Sequence, residues 1–284
     1  MKRLKRYQYE HYAILCRASY PKVFDHTEYG FDKHCRRDIT DRFGNTIIRV
    51  LWGEKRDAVV VFKGSHCLSD WLTNLICLPK KLPTEHYAGH VHLGFYFQLH
   101  QRSQKAKNPY HTRYQRLSDN HLAEIAQASD VCHSEGDTVY HQIEACAKEL
   151  RKLGKKMILT GHSSGGCMAV ISAEMLEQKY PGIIKRIVTF GQPAPGFWSF
   201  KKHYQLKDKT YRICCDVDMV TFLPGLPFIY WHVGKMIWLH NNRIYQDIPS
   251  PVRIFRVLAS WLMRPIAYHF MDKYIRRKDY FDHH

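Results

Sequence analysis

The residues best placed to do chemistry sit in Gly161-His-Ser-Ser-Gly165, which follows the apolar run Met157-Ile-Leu-Thr160 and opens a second one, Cys167 to Leu176. A Gly-x-Ser-x-Gly turn between a strand and a helix holds its serine at strained dihedrals, and the flanking glycines permit close backbone approach. Position within the motif selects Ser163 over Ser164 as a nucleophile. The N–H groups and positive dipole end of the following helix stabilise an oxyanion, so the Ser164 N–H is the natural donor. A tight glycine turn without catalysis is the alternative, and the strand-to-helix context speaks against it.

A serine nucleophile needs an imidazole to take its proton and a carboxylate to hold that imidazole, in the chain order Ser, Asp, His for such a turn. Asp216 and Asp218 both follow the β-rich run Tyr211-Arg-Ile-Cys-Cys215, and His232, His240, His269, His283 and His284 all lie downstream. Residue types and order leave the choice among them open. Metal chemistry has less support: there is no Cys-x-x-Cys pair, and His90-Val-His92 and Cys132-His133 lack further partners at zinc-ligand spacing. Neither a metal nor an organic cofactor is expected.

The elements that must carry these residues alternate. Val59–Phe62, Met157–Thr160, Ile184–Phe190 and Tyr211–Cys215 read as strands, with Ile47–Leu51 as a further one. From Thr138 to Leu153, Val139, Ile143, Ala147 and Leu150 recur at helical spacing until Gly154 ends the pattern. Strands separated by helices predict a mostly parallel central sheet flanked by helices. Residues 100–136 read as a polar surface excursion with some helix around Leu117–Ala128. No repeat or linker divides the 284 residues, so a single domain over 1–284 is expected.

With 45% hydrophobic and 24% charged residues the composition is that of a folding chain, and nine cysteines in no regular framework read as reduced thiols. The net charge of +17 favours anionic partners, a phospholipid surface or nucleic acid, without choosing between them. Lys2-Arg3-Lys5-Arg6 starts like a signal peptide, but Ala13–Cys16 is a short apolar run that Arg17 interrupts. No stretch reaches the ~18 uncharged apolar residues that span a bilayer. A cytoplasmic protein, at most peripheral to a membrane, is the expectation.

Beyond these readings the chain resembles the class 3 (fungal-type) lipase family between about Val59 and Tyr274. The resemblance is carried by Val59-Val-Val-Phe-Lys-Gly-Ser65, Ser69-Asp-Trp-Leu-Thr-Asn-Leu75, Val91-His-Leu-Gly-Phe95, Leu159 to Gly166, Val188-Thr-Phe-Gly-Gln-Pro193 and Tyr211 to Pro227. It implies an α/β-hydrolase fold with a lid segment within 66–90, whose apolar side would be Leu72, Leu75, Ile76 and Leu78. It also implies Ser65 as a second oxyanion donor, Asp218 as the acid and His269 as the base, with a tyrosine, Tyr274, five residues after the base. His232 then becomes structural. Thr221 stands where the family usually has proline, and Tyr268 where an aspartate often precedes the base.

The resemblance implies a serine hydrolase acting on carboxylic esters of lipids, acylglycerol or phospholipid. Residues Ile254, Val257, Leu258, Trp261 and Leu262, spaced helically among arginines, fit contact with an anionic membrane surface equally well as packing on the sheet. Competing expectations are a carboxylesterase for soluble esters and, in a different class, a basic lipid- or nucleic-acid-binding protein on a silent hydrolase fold. No nucleic-acid-reading motif is present, and oligomeric state is not written in the sequence.

Overall fold

The computed structural model describes residues 4–21, 24–64, 77–104, 138–216, 218–224, 229–241, 243–248, 252 and 269–283. Ser65, nearly all of the proposed lid apolar face, the helix expected around Leu117–Ala128, the Ile254–Leu262 stretch and Tyr268 lie outside the described residues.

In chain order the strands are β1 (Arg36–Thr40), β2 (Thr46–Gly53), β3 (Arg56–Phe62), β4 (Pro79–Lys81), β5 (His90–His92), β6 (Met157–His162), β7 (Ile184–Phe190), β8 (Gly196–Phe197), β9 (Thr210–Cys215), β10 (Tyr230–Trp231), β11 (Lys235–His240) and β12 (Arg243–Gln246). The helices are α1 (Arg6–Ala18), α2 (Leu93–His100), α3 (Val139–Lys152), α4 (Ser164–Lys179), α5 (Trp198–His203) and α6 (Met271–Ile275). The main sheet runs β1-β2-β3-β6-β7-β9-β11-β12, and a smaller one runs β10-β8-β5-β4. In the main sheet β3, β6, β7, β9 and β11 pair in parallel, with antiparallel strands at both edges.

The apolar runs are continuous because both faces of the sheet are covered. On β3, Ala58, Val60 and Phe62 point into the core under α2, α3 and α4, while Val59 and Val61 point into the core under α1 and α6. The helix read from Thr138 holds: the Thr138 hydroxyl caps it by accepting from the His141 N–H at 3.3 Å, and Gly154 leaves it at φ +68°. The α1 helix, absent from the sequence reading, buries Tyr9, Tyr12, Ala13, Leu15 and Cys16 on one side. Among the described residues no helix is long and apolar enough to cross a membrane.

Parallel strands leave their carboxyl ends at one edge, where open α/β sheets gather their functional loops. Phe62 pairs with Gly161, His162 with Phe190, and Phe190 with Ile213. The segments holding Gly64, Ser163, Gly191 and Asp218 therefore leave the sheet side by side.

Candidate active site

Ser163 lies between β6 and α4 at φ 58°, ψ −132°, a left-handed conformation that non-glycine residues avoid unless the surroundings enforce it. Those surroundings are tight. A Cβ on Gly161 would sit 2.5 Å from the Gly165 carbonyl oxygen, and one on Gly165 would sit 2.5 Å from that of Phe62. Both motif glycines are there because neighbouring backbone occupies the space. The Ser163 N–H donates to the Phe190 carbonyl at 2.9 Å, which fastens the elbow to β7. Ser164 is the first residue of α4.

Asp218 follows β9 and is fully buried. It accepts from the Val220 N–H at 3.0 Å and from the Tyr274 hydroxyl at 2.5 Å, and both its oxygens lie 3.1 Å from His269 Nδ1. A carboxylate only accepts, so Nδ1 carries the imidazole proton and Nε2 is left as a base. Burial, and then the Asp218 charge, push the Tyr274 phenol well above its usual range, so it remains a donor. Thr221, the departure from the family proline, donates its hydroxyl to the Asp218 carbonyl at 2.7 Å and serves the loop in another way.

The two halves meet across Gly191. This residue follows Phe190, the acceptor for Ser163, and at φ +57° a Cβ on it would lie 2.8 Å from Asp218 Oδ2 and 3.0 Å from His269 Nδ1. The His269 ring centroid is 4.5 Å from that of His162, the neighbour of Ser163. Among the described residues no hydrogen bond joins the Ser163 hydroxyl to His269. Contacts of this kind commonly tighten only when substrate is bound.

The competing residues are occupied elsewhere. Asp216, at φ 37°, is engaged by His240 at 3.0 Å and by the Arg277 guanidinium, and its carbonyl accepts from the Trp238 indole at 2.8 Å. His232 Nε2 donates to the Thr221 carbonyl at 2.9 Å, a structural contact.

Residues 59–228 match the class 3 lipase family. The chain belongs to that family. This class 3 lipase chain is 27% identical over 175 residues to a triacylglycerol lipase of Ricinus communis, covering 56% of this chain and 33% of that protein. It therefore spans about a third of that relative's length. Among solved structures, a lipase from Rhizopus microsporus var. chinensis superposes with a TM-score of 0.57 at 16% identity, covering 92% of this chain and 87% of its own. A triacylglycerol lipase whose catalytic centre is a serine-protease triad gives 0.56 at 19% identity, over 83% and 80%. The family member thus has the α/β-hydrolase fold.

Three site-building residues escaped the sequence reading. Gly191 carries a signal, a glycine directly after an apolar strand, but nothing local says what it makes room for. Tyr20 and the contacts of His162 depend on partners more than a hundred residues away.

Proposed function

We propose that the chain hydrolyses carboxylic esters of lipids through an acyl-enzyme on Ser163. His269 Nε2 takes the serine proton as Oγ attacks the ester carbonyl, and Asp218 holds the imidazolium that forms. The N–H groups of Ser164 and Ser65 receive the oxyanion, the imidazolium protonates the leaving alcohol, and water then repeats the sequence on the acyl-enzyme. The observation that carries this reading is the buried Asp218–His269 pair, 3.1 Å apart, beside a serine held at positive φ. Relatives described as triacylglycerol lipases support a lipid ester as substrate. The other class, a silent fold, would have no need to keep a buried carboxylate aimed at an imidazole.

The domain is taken as one α/β-hydrolase unit over 1–284, with a lid within 66–90. Within that range, strand β4 is hydrogen-bonded to β5. A fungal lipase–inhibitor complex that models interfacial activation is among the structural neighbours, which supports a lid of this kind. A cytoplasmic protein touching anionic membrane is the reading of location and partner, the latter supported by the +17 charge.

The test is a panel of p-nitrophenyl esters, triglyceride emulsions and phospholipid vesicles, run with wild type and Ser163→Ala. Hydrolysis that rises once substrate passes its solubility limit, and that vanishes in the variant, supports the lipase; equal rates on dissolved and emulsified substrate point to a carboxylesterase. Hydrolysis that survives in Ser163→Ala refutes the mechanism.

A further inference from the structure

We infer that Tyr20 and His162 form a positioning relay that holds the oxyanion loop, the nucleophile elbow and the base-bearing segment in register without touching substrate. The inference rests on the proposed roles of Ser65, Ser163 and His269. Two hydrogen bonds run in single file, and the Tyr20 end of the file packs against Gly64. The Tyr20 hydroxyl donates to His162 Nδ1 at 2.7 Å, and His162 Nε2 donates to the main-chain carbonyl of His269 at 2.7 Å.

The directions are forced by chemistry. A carbonyl oxygen can only accept, so Nε2 of His162 carries the proton; Nδ1 is then an acceptor, and the tyrosine must donate to it. Aligned donors and acceptors of this kind polarise one another in a low-dielectric interior.

Each link ends beside a reacting group. Gly64 precedes Ser65, His162 precedes Ser163, and the last acceptor belongs to His269 itself. The fit is close, since a Cβ on Gly64 would lie 2.6 Å from the Tyr20 hydroxyl, 2.8 Å from the His162 carbonyl oxygen and 3.1 Å from Ser163 Cβ. Burial pushes the Tyr20 phenol up, while burial and the nearby His269 push the His162 imidazole well below its usual range. Both stay neutral, which keeps one proton arrangement along the file. Neutrality also matters because a cation on the ring 4.5 Å from His269 would oppose the imidazolium formed during attack. Tyr20 lies outside the 59–228 family match, so this anchor comes from the segment after α1.

The experiment uses the full chain and a soluble p-nitrophenyl ester, measuring kcat, KM and melting temperature for Tyr20→Phe, His162→Asn, His162→Gln and Ser163→Ala. The glutamine amide nitrogen reaches roughly where Nε2 sits and keeps the bond to the His269 carbonyl; the asparagine amide does not reach it. Tyr20→Phe and His162→Asn should lower kcat by about ten- to a hundredfold with KM changed by less than about threefold, the signature of a misplaced base rather than weakened binding. His162→Gln should keep at least about tenfold more kcat than His162→Asn. A kcat within about twofold of wild type in Tyr20→Phe or His162→Asn overturns the relay, and so does equal loss in the Gln and Asn variants. If Tyr20→Phe does not fold, the Gln-against-Asn comparison decides alone. An active Ser163→Ala would remove the proposed function; an inactive one beside unimpaired relay variants removes only the relay.

Discussion

Replacing Gly191 with alanine tests the triad from the one position where both of its halves close in on a backbone. The added methyl carbon would sit 2.8 Å from Asp218 Oδ2 and 3.0 Å from both Nδ1 and Cε1 of His269. Ordinary contact begins near ~3.5 Å, so carboxylate or ring must retreat by about half an ångström. Because the Asp218–His269 contacts are already 3.1 Å, such a retreat takes them beyond good hydrogen-bond geometry. A displacement of that order costs about a hundredfold in rate, or about 2.7 kcal/mol of transition-state stabilisation. Holding an alanine at φ +57° adds about 1–2 kcal/mol of folding cost. The assay pairs kcat on a p-nitrophenyl ester with a thermal melt and the rate of fluorophosphonate labelling. Folded Gly191→Ala is expected with a modestly lowered melting temperature, slow labelling and kcat down about a hundredfold. A folded variant with kcat within about threefold of wild type would refute the placement of Asp218 and His269 around Gly191.

Tyr274→Phe removes the 2.5 Å donor from the buried Asp218 carboxylate, and should destabilise the fold by about 1.5–3 kcal/mol and lower kcat about tenfold; an unchanged melt and rate would show that the hydroxyl is idle. Lys63, half-buried, is pushed down to about 8 by burial and then by Arg49. A lysine whose folded pKa lies below its unfolded value weakens the fold at neutral pH, and the handicap fades as pH rises through that value. Lys63→Met should therefore raise the melting temperature more at about pH 7 than at about pH 9.5, and equal gains would contradict the assignment. For His162 burial keeps the folded ring neutral while the unfolded chain protonates near its ordinary 6.5, so the contribution is full above that value and lost as pH falls below it. Between about pH 6.5 and 5 wild type should lose melting temperature more steeply than His162→Gln, and parallel slopes would count against the buried neutral ring.

What the sequence disclosed was whatever a single stretch of chain determines. The strands β3, β6, β7 and β9 were legible because burial on both faces makes each an uninterrupted apolar run. The elbow was legible because strand, glycines and helix are contiguous. Helix α1 was not, because its Tyr9, Tyr12 and Leu15 acquire meaning only against Phe190, Tyr274 and the sheet. Choosing Asp218 over Asp216 needed the family resemblance, since both follow the same strand; what separates them physically is that His240 and Arg277 already occupy Asp216. Gly191 and Tyr20 act on residues brought near by folding alone, and no local pattern could report that.

The base arrives by a long detour. His269 is translated about a hundred residues after Ser163, and its segment then settles against α1, where the Tyr9 hydroxyl grips the Tyr274 carbonyl at 2.5 Å. Chains emerge from the ribosome amino end first, so the sheet and its serine can form while the imidazole is still inside the exit tunnel. On the proposed mechanism, a half-made molecule would hold a nucleophile without its base, and ester cleavage would begin only once these two distant segments had met.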